Sequence, residues 1–571
     1  MERVPRNRSP RQGIPRGRLP WLVLAGLLAV GIAVPMTGSE LGLGGFAGPG
    51  GSASPSVLAE TSPSGPASPP VVPTSTAVAP SASSQPSASP SALPSAGPVQ
   101  ALIVPVTQFR GTVTSTSRAE VQAVLAGTSK RYTALTLVDD EADAILAAIG
   151  AARPNDPSRL VLARDATTLT RDLARNRTRL AFLRAEDVTS AVRALSWGRA
   201  ALFGVDRVKR ASDWPLEATL PGRVVPNRPK LFDPGSTWTL FAGGDILLDR
   251  GVYQTVAVRG RGADFPFDGG TAEITGHTCC SSFGWEVPQT RRTGGAGAMR
   301  NLIRRADIAV ANFENPAPDQ PRYHTSGTRF TADPKLIDGL VKAGIDYVSI
   351  ANNHIGDAGD AGILQTIANL RKRGLKYSGA GKDLAAARKP ALLKTHGVTV
   401  AILGYNTIAP SSYFAGTRET GSSQLSLKRA RADIKAARKA GANIVIVFPH
   451  WGTEYKAKPF TAQQQLARAI IDAGADMIIG NHAHWAAAME IYHGKPIWYA
   501  LGNFVFDQTW SEPTMEGITL ELTFEGTALR QVRIRPHIIL DKAQPNLLDP
   551  GGDGKVVMGQ VFDASKGLLP Y

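Results

Sequence analysis

The sequence predicts an α/β protein of several parts, the largest of which is a layered α/β domain. Its 571 residues exceed what one hydrophobic core usually organises, so we expect two or three domains. Beyond residue 100, short apolar runs alternate with amphipathic stretches of helical period. Hydrophobic residues make up 43% and charged residues 19%, which excludes both a wholly disordered chain and a polytopic membrane protein.

Charge and cysteine content exclude further classes of protein. The formal net charge is +16, but six arginines lie within the first 18 residues, and no RRM, zinc-finger or homeodomain signature follows them. We therefore expect no nucleic-acid partner. Two cysteines exclude a disulfide scaffold and any multi-cysteine zinc or iron–sulfur site.

The N-terminus predicts a membrane anchor. Residues 1–18 form a basic leader, and residues 19–36, LPWLVLAGLLAVGIAVPM, are long enough to cross a slightly thinned bilayer. The arginines should stay cytoplasmic, which places the bulk of the chain outside the cell as a single-pass protein of the cell membrane. The alternative is a cleaved signal peptide and a secreted protein.

A linker rich in Pro, Ser, Ala and Gly follows at residues 37–100. Such a composition cannot bury enough apolar surface to order itself, so we expect a disordered, partly extended stalk that crosses a cell-wall layer.

Residues 101–227 predict a smaller α/β accessory domain. The predicted strands are ALIVPV, TALTLV, RLVLAR, RLAFLR and AALFGV, and the predicted helices are SRAEVQAVLAG and TSAVRALSWG. The region contains neither His nor Cys, so we expect binding or positioning rather than metal chemistry. Its first residues resemble the start of a lobe of extracytoplasmic solute-binding proteins.

Residues 230–568 carry the chemistry. The predicted strands are TWTLFAGGD, IAVANFE, YVSIANNH, VTVAILGYN, NIVIVFPHWG and DMIIGNHAH. Helical patterns lie between them, which predicts a sheet covered on both faces, and antiparallel strands are expected from Met489 onward.

Polar residues follow five of these strands. They are Asp245, Glu314, Asn353 with His354, His450, and His482 with His484. The carboxyl ends of parallel strands meet at one edge, where ligands gather. Because His482 and His484 are two apart, an extended chain would point both to the same side. Carboxylate, amide and imidazole ligands suit Mn, Fe or Zn, and this number of groups is enough for one or two ions of a hydrolytic site.

Each signal alone also fits a plain structural role. The stretch from Asn352 to Asp357 could be a helix N-cap, and the stretch from His450 to Glu454 could be a turn with Trp451 packed inward. Five polar clusters at five strand ends are harder to explain by packing, so we interpret them together as a metal site.

The ordered motifs GGDILL, ANFENP, ANNHIGDAG, HWGTEY, GNHAHW and ALGNFVF resemble the CapA-type capsule and poly-γ-glutamate biosynthesis proteins. The resemblance covers about residues 238–568 and implies a metallophosphatase-like (calcineurin-like) fold. By analogy, Asp245 takes the place of the first-motif aspartate, Asn353 and His354 that of the Asn–His pair, and His450 that of the isolated histidine. His482 and His484 match the terminal pair.

The chain departs from the phosphatase pattern at two positions. Leu247 stands where the first motif has histidine, and Glu314 stands where the second motif has a bridging aspartate. The loss of one imidazole should weaken one of the two ion positions, so we expect a single metal or a loosely bound one. His450, Asp357 and Glu454 are candidate catalytic residues; Asp357 and Glu454 would act in acid–base chemistry or orient an imidazole. Cys279 and Cys280 lie in an insertion and could pair with each other, bridge subunits or stay free.

Three functions stay open at this point. The first is a metal-dependent hydrolase acting on a phosphoester or an amide of an anionic surface polymer. The second is a non-catalytic polymer-binding component of a membrane synthesis and export complex with other subunits. The third is a solute-capture module in which residues 101–227 bind and the remainder is scaffold.

Overall fold

A computed structural model describes residues 97–223 and 231–569. We call residues 97–223 the accessory region and residues 231–569 the layered region; both belong to one compact unit, Ser89–Tyr571. No helix within these two ranges has the length and apolar character needed to cross a bilayer. The predicted anchor at residues 19–36, and the predicted leader and most of the stalk, lie outside the described residues.

The accessory region forms its own sheet in the order β4-β3-β5-β1-β6, with β8 also paired to β1. Its core is a cluster of buried aliphatic and aromatic side chains, among them Ile103, Leu135 and Phe182. The strands are β1 Val99–Gln108, β2 Ser115–Thr116, β3 Ala134–Val138, β4 Leu160–Ala163, β5 Arg179–Arg184, β6 Val192–Ala194, β7 Ser196–Trp197 and β8 Glu217–Leu220. The helices are α1 Arg118–Leu125, α2 Ala142–Ile149 and α3 Ala166–Arg175.

Two predictions for this region are wrong. The predicted helix TSAVRALSWG instead contains strands β6 and β7, because residues 192–194 pair antiparallel with β1 and tertiary pairing outweighs helical period. The predicted strand AALFGV is irregular chain with isolated bridges, and its residue Val205 joins a core of the layered region. The other four predicted strands and the first helix are confirmed.

The layered region contains two larger sheets. Its strands are β9 Thr237–Ile246, β10 Thr271–Thr278, β11 Val287–Gly294, β12 Ile308–Phe313, β13 Tyr347–Ser349, β14 Lys376–Ser378, β15 Ala380–Gly381, β16 Ala391–Thr395, β17 Val398–Asn406, β18 Gly421–Ser422, β19 Ile444–His450, β20 Met477–Ile479, β21 Met489–Tyr492, β22 Lys495–Trp498, β23 Asn503–Val505, β24 Glu516–Glu525, β25 Ala528–Leu540 and β26 Gln544–Leu547. Its helices are α4 Arg250–Tyr253, α5 Ala298–Arg305, α6 Ile337–Ala343, α7 Gly359–Lys372, α8 Leu384–Ala387, α9 Leu427–Lys439, α10 Thr461–Asp472, α11 Glu512–Met515 and α12 Lys555–Ala564.

The two sheets pack against each other. The first sheet has the order β11-β10-β26-β25-β24-β9-β12-β13-β14, with β23 also paired to β9, and the second has the order β16-β17-β19-β20-β22-β21. Leu240 and Val310 of the first sheet share a core with Ile446 and Phe448 of the second. The predicted layered α/β architecture is confirmed, and each sheet is covered on both faces, by helices on one face and by the other sheet on the second.

Helices cover the outer face of each sheet. Alternate residues of β9 and β12 pack on α5, α6 and α7, and alternate residues of β19 pack on α9 and α10. The strands are apolar on both faces because each sheet is buried on both, by a helix layer and by the other sheet. The result is a mixed α/β arrangement of four layers.

The parallel strands of both sheets end at one edge. Strands β9, β12 and β13 run parallel in the first sheet, as do β19 and β20 in the second. The predicted antiparallel tail is confirmed by the pairs β21–β22 and β24–β25. This edge of the molecule is where the predicted site residues lie.

Candidate metal centre

The predicted site residues come from both sheets. Asp245 lies at the end of β9, Glu314 directly follows β12, and Asn353 and His354 lie in the loop after β13. His450 is the last residue of β19 in the second sheet, and the loop after β20 carries His482 and His484. The strand-end placement predicted from the sequence is confirmed, and the seam between the sheets brings oxygen ligands from one side and imidazoles from the other.

Asp245 and Glu314 are fully buried carboxylates beside each other. The Asn312 side-chain amide donates to Asp245 Oδ1 at 2.7 Å, and the backbone N–H of His482 donates to Asp245 Oδ2 at 3.2 Å. Neither carboxylate oxygen of Glu314 has a hydrogen-bond partner. A buried carboxylate ion without a partner costs on the order of several kcal/mol, so without a cation these groups are held protonated, and a bound cation would stabilise their ionised form.

Three imidazoles surround these carboxylates. The Nε2 atom of His450 lies 3.4 Å from Glu314 Oε1 and 3.1 Å from Nδ1 of His482. His484 reaches the same two carboxylates, with Nδ1 at 3.7 Å from Asp245 Oδ2 and Nε2 at 3.9 Å from Glu314 Oε1. All three histidines are at most 4% exposed.

The loop that carries His482 and His484 is not extended. Their φ angles are +94° and +55°, in the left-handed region that L side chains rarely adopt. The prediction that an extended chain points both to one side is therefore wrong, although both rings do reach the site. A backbone held this way costs about 1 kcal/mol or more per residue, which is typical of functional loops.

Burial determines the protonation states at the site. It raises the pKa of Glu314 to about 8, and burial together with the neighbouring Glu314 raises the pKa of Asp245 well above its ordinary value. Burial lowers the pKa of His450, His482 and His484 well below the ordinary value, and the neighbouring imidazoles lower it further. These histidines are neutral, with lone pairs available to a cation.

The donor atoms converge closely enough for a cation. Glu314, His450 and His482 form one group and Asp245, Glu314 and His484 form another, with all donor atoms of each group within 4.8 Å of one another. The two groups share Glu314, whose oxygens have no other partner. Mixed carboxylate and imidazole donors fit Mn, Fe or Zn, and the shared carboxylate fits one ion or a pair.

Asn353 and His354 lie beside these groups. The Asn353 Oδ1 atom lies 2.7 Å from His450 Nε2, which places the amide oxygen among the donor atoms. His354 belongs to neither group; its Nδ1 lies 2.9 Å from Asp357 Oδ2 and its Nε2 lies 3.0 Å from Asn353 Nδ2. As a metal ligand, His354 stays a prediction.

The two carboxylates predicted to act in acid–base chemistry differ in setting. Asp357 accepts from the backbone N–H of Phe330 at 2.8 Å as well as facing His354, so it fixes the orientation of that imidazole. Helix α7 begins at Gly359 after an Ala358 N-cap, so Asp357 is not its cap. Glu454 is exposed in the loop after β19. Burial raises the pKa of the neighbouring Tyr455, and the charge of Glu454 raises it further.

Aromatic side chains border the site. The ring of Tyr455 lies 6.4 Å from those of Trp485 and Trp510. The hairpin β10–β11 adds Trp285, 6.3 Å from Trp485, and Phe283, 5.4 Å from Trp510. The predicted insertion therefore reaches this aromatic border, and its two cysteines, Cys279 and Cys280, are paired with each other.

Several polar residues near the site went unassigned in the sequence. Asn312 contacts both Asp245 and His450, and Asn503 Oδ1 lies 2.9 Å from Nδ1 of His484. Both asparagines stand in the motifs ANFENP and ALGNFVF, where a polar residue interrupts an apolar strand. That interruption is the signal that could have identified them.

A second Asp–His pair was also missed. Asp249 is fully buried and lies 2.5 Å from Nδ1 of His324, and it accepts from the backbone N–H groups of His324 and Thr331. With Arg322, Arg329 and Asp357, His324 lines a cavity of about 690 Å³. His324 lies in a loop with no periodic pattern, so only the fold reveals the pairing.

Comparison with known proteins identifies the layered region. Residues 239–508 match the family model described as bacterial capsule synthesis protein PGA_cap. The capsule biosynthesis protein CapA of Bacillus anthracis is 31% identical over 276 residues, which cover 47% of this chain and 66% of that protein. The PGA biosynthesis protein CapA of Bacillus subtilis is 36% identical over 213 residues, which cover 37% of this chain and 56% of that protein.

Comparison with solved structures gives only weak similarity. A calcineurin-like phosphoesterase of Bacillus subtilis is 14% identical, with 58% of this chain and 97% of that chain covered, at a TM-score of 0.30. A TM-score this low does not establish a shared fold. The metallophosphatase-like architecture therefore stays a resemblance carried by the motifs and by the donor atoms they bring together.

Proposed function

Because the chain belongs, through residues 239–508, to the PGA_cap family of CapA-type proteins, we propose that it acts in the biosynthesis or export of an anionic surface polymer such as poly-γ-glutamate. It does so through a divalent-metal site that hydrolyses a phosphoester or an amide of the polymer. Its partners are the polymer, the membrane and other subunits of the synthesis and export complex. The relatives support this proposal by their names: one is a capsule biosynthesis protein and the other a PGA biosynthesis protein.

One observation carries the hydrolase proposal. Two buried carboxylates and three neutral imidazoles converge at the seam of the sheets, and both oxygens of Glu314 lack a hydrogen-bond partner. A purely structural cluster would satisfy these oxygens with protein donors. When bound, a divalent ion supplies Lewis-acid activation of a carbonyl or phosphoryl group.

The chain's own residues have separable tasks in this proposal. Asp245, Glu314, His450, His482 and His484 would hold the cation, with Asn353 contributing an amide oxygen. Asp357 holds the imidazole of His354 in one orientation, so that the opposite nitrogen, Nε2, faces the site side of the loop. Glu454, on the exposed loop, is placed to exchange a proton with solvent.

The alternative is a polymer-binding component without catalysis. Leu247 supports it, because a leucine there removes one imidazole from the phosphatase-like ligand set. In that case the strand-end residues serve as polar contacts to the polymer.

Metal content of the full-length chain is the first test. We expect about one or two Mn, Fe or Zn ions per chain by plasma mass spectrometry. The variant His482→Ala should lose this metal, whereas His493→Ala, which removes an exposed histidine of the same region, should keep it. A folded sample with no metal above background, even after reconstitution, contradicts the hydrolase proposal and favours polymer binding.

Activity separates the two proposals. The metal-loaded chain is screened against phosphoesters and γ-glutamyl amides, and the metal-free His482→Ala variant is assayed in parallel. Cleavage that disappears with the metal supports the hydrolase. If His482→Ala abolishes polymer output in cells while the export complex still assembles, chemistry rather than assembly is implicated.

The location proposal needs its own test. We propose a single-pass protein anchored by residues 19–36 with the bulk of the chain outside the cell. Membrane fractionation of intact cells, followed by added protease, should leave the chain in the membrane fraction and degrade residues 97–569. Release of the whole chain into the medium would instead indicate a cleaved signal peptide.

A further inference from the structure

A cleft lies between the accessory region and the layered region. Strand β6 of the accessory region faces β25, and the backbone N–H of Ala194 donates to Gln531 Oε1 at 3.0 Å. The backbone N–H groups of Gly204 and Val205 donate to Thr523 and Glu521 of β24. These buried contacts fix the two regions on either side of a cavity of about 500 Å³.

Arg193 of β6 lines this cleft and is only 6% exposed. Its Nε donates to the backbone carbonyl of Val113 at 2.8 Å, and none of the described carboxylates forms an ion pair with its guanidinium. Burial and the neighbouring Arg533 and Arg535 together lower the pKa of Arg193 to about 10. The group still stays charged at neutral pH, so a cation is buried here without a matching anion.

Two more guanidinium groups face the same cleft. Arg535 donates to Glu521 Oε2 from Nε at 2.8 Å and from Nη2 at 2.7 Å, and Arg533 donates to Oε1 at 3.4 Å. Glu521 also accepts from the backbone of Val205, so both of its oxygens are occupied. Glu521 therefore pairs with two guanidinium groups, and the third, that of Arg193, forms no ion pair with any described carboxylate. The remaining acid on the wall, Asp206, pairs with Arg305, and its negative charge also stabilises the charged forms of Arg533 and Arg535.

We propose that this cleft is an oxyanion-binding site in which Arg193, Arg533 and Arg535 hold a carboxylate or phosphate group. Planar guanidinium groups bind such anions with paired hydrogen bonds, and partial shielding of the cleft from bulk water strengthens these bonds. The cavity is larger than a single oxyanion needs, so the group belongs to a larger ligand or binds with water. The site uses residues outside the candidate metal centre and does not depend on the proposed hydrolysis.

Equilibrium dialysis of the full-length chain tests the proposal. The chain is first treated with a chelator so that the metal centre cannot hold phosphate, and ionic strength is kept constant with chloride. One arm uses inorganic phosphate and the other a trimer of γ-linked glutamate, which separates a phosphate source from a carboxylate source. We expect saturable binding of one equivalent in at least one arm.

Variants then assign the binding to the cleft. Arg193→Gln should weaken binding about tenfold or more, as expected for the loss of one charge-assisted contact. Arg210→Gln removes an exposed arginine that pairs with Asp213 outside the cleft, and should bind as the wild type does. Without ligand, Arg193→Gln should melt at a higher temperature than the wild type, because it removes the uncompensated charge.

Two results would overturn the proposal. One is a wild-type chain that binds neither ligand; the other is an Arg193→Gln variant that binds as tightly as the wild type. If Arg193→Gln does not fold, Arg533→Gln takes its place, since Arg535 still neutralises Glu521. Unchanged binding in Arg533→Gln would overturn the proposal equally.

Discussion

Glu314 and Glu521 are both buried glutamates of the layered region, and their surroundings are opposite. Glu314 has no hydrogen-bond partner on either oxygen, and burial raises its pKa to about 8. At Glu521 burial acts in the same direction, but Arg535 and Arg533 outweigh it and lower the pKa to about 2. At Glu521 the chain itself provides the positive charges, from Arg533 and Arg535, that keep the buried carboxylate ionised. Where it leaves the oxygens without a partner, the carboxyl group is protonated at neutral pH unless a cation from outside the chain binds it.

The largest expected effect is that of Glu521→Gln on folding. Removing this carboxylate deprives Arg533 and Arg535 of their hydrogen-bonded partner beside the unpaired Arg193, so we expect a loss of about 3–5 kcal/mol in the free energy of unfolding. Urea denaturation measures it. The control Glu525→Gln, on the same strand but partly exposed and paired with Arg530, should cost about 1 kcal/mol or less. If Glu521→Gln and Glu525→Gln lost equal amounts of unfolding free energy, Glu521 would not be the ion-paired structural carboxylate that we contrast with Glu314.

Glu314→Gln should act on metal rather than on folding. Without metal, a pKa of about 8 keeps Glu314 protonated at neutral pH, so the isosteric glutamine should leave the metal-free chain about as stable as the wild type. Metal affinity, measured by competition with a chelator, should fall by about a hundredfold or more because a ligand shared by both groups is lost. Strong destabilisation with metal affinity unchanged would show that Glu314 is structural after all.

The pH dependence of stability sharpens the contrast. Glu521 has a folded-state pKa of about 2 and an ordinary value of 4.5, so its stabilisation is present above pH 4.5 and is lost as the pH falls towards 2. The unfolding free energy of the metal-free wild type should fall by about 2 kcal/mol more than that of Glu521→Gln between pH 6 and pH 3. Parallel curves for the two proteins would contradict the assignment.

Asp357→Asn should have a smaller effect. Asparagine can still accept a hydrogen bond from the backbone N–H of Phe330, but it no longer offers a negatively charged partner to His354 Nδ1. We expect about a tenfold loss of the hydrolytic rate on the substrate found in the screen, with the fold retained. Asp360→Asn, an exposed change in the first turn of α7, serves as the matched control.

Glu454→Gln should have the smallest effect on metal. Its carboxylate is exposed and belongs to neither donor group, so metal affinity should change by about twofold or less. The same chelator competition measures it. A hydrolytic rate that falls a hundredfold while metal is retained would assign the acid–base role to Glu454.

Much of the site could be predicted because parallel strands carry their functional residues at their carboxyl ends. Asp245, Glu314 and His450 each follow an apolar run that the structure confirms as a strand, so their convergence follows from chain order. The loop of His482 and His484 could not be predicted in detail, because its left-handed backbone is imposed by tertiary contacts. The local pattern of apolar and polar residues does not indicate such a backbone conformation.

The division into two sheets was also beyond the sequence. An apolar run such as that of β9 shows that both faces are buried, but a helix layer and a second sheet bury apolar side chains equally well. The accessory region shows the same limit, since residues 192–194 have a helical period and still pair with β1. Pairing between distant strands decided both cases.

The seam between the sheets gives the metal site a mechanical consequence. Asp245 and Glu314 extend from one sheet, and His450, His482 and His484 extend from the other. Each of the two donor groups contains residues of both sheets, so a bound cation would link the sheets. A bound cation would then couple the opening motions of the two sheets. Amide hydrogen exchange along β12 and β19 should slow in both strands when the site binds a cation and become faster in both when the cation is removed.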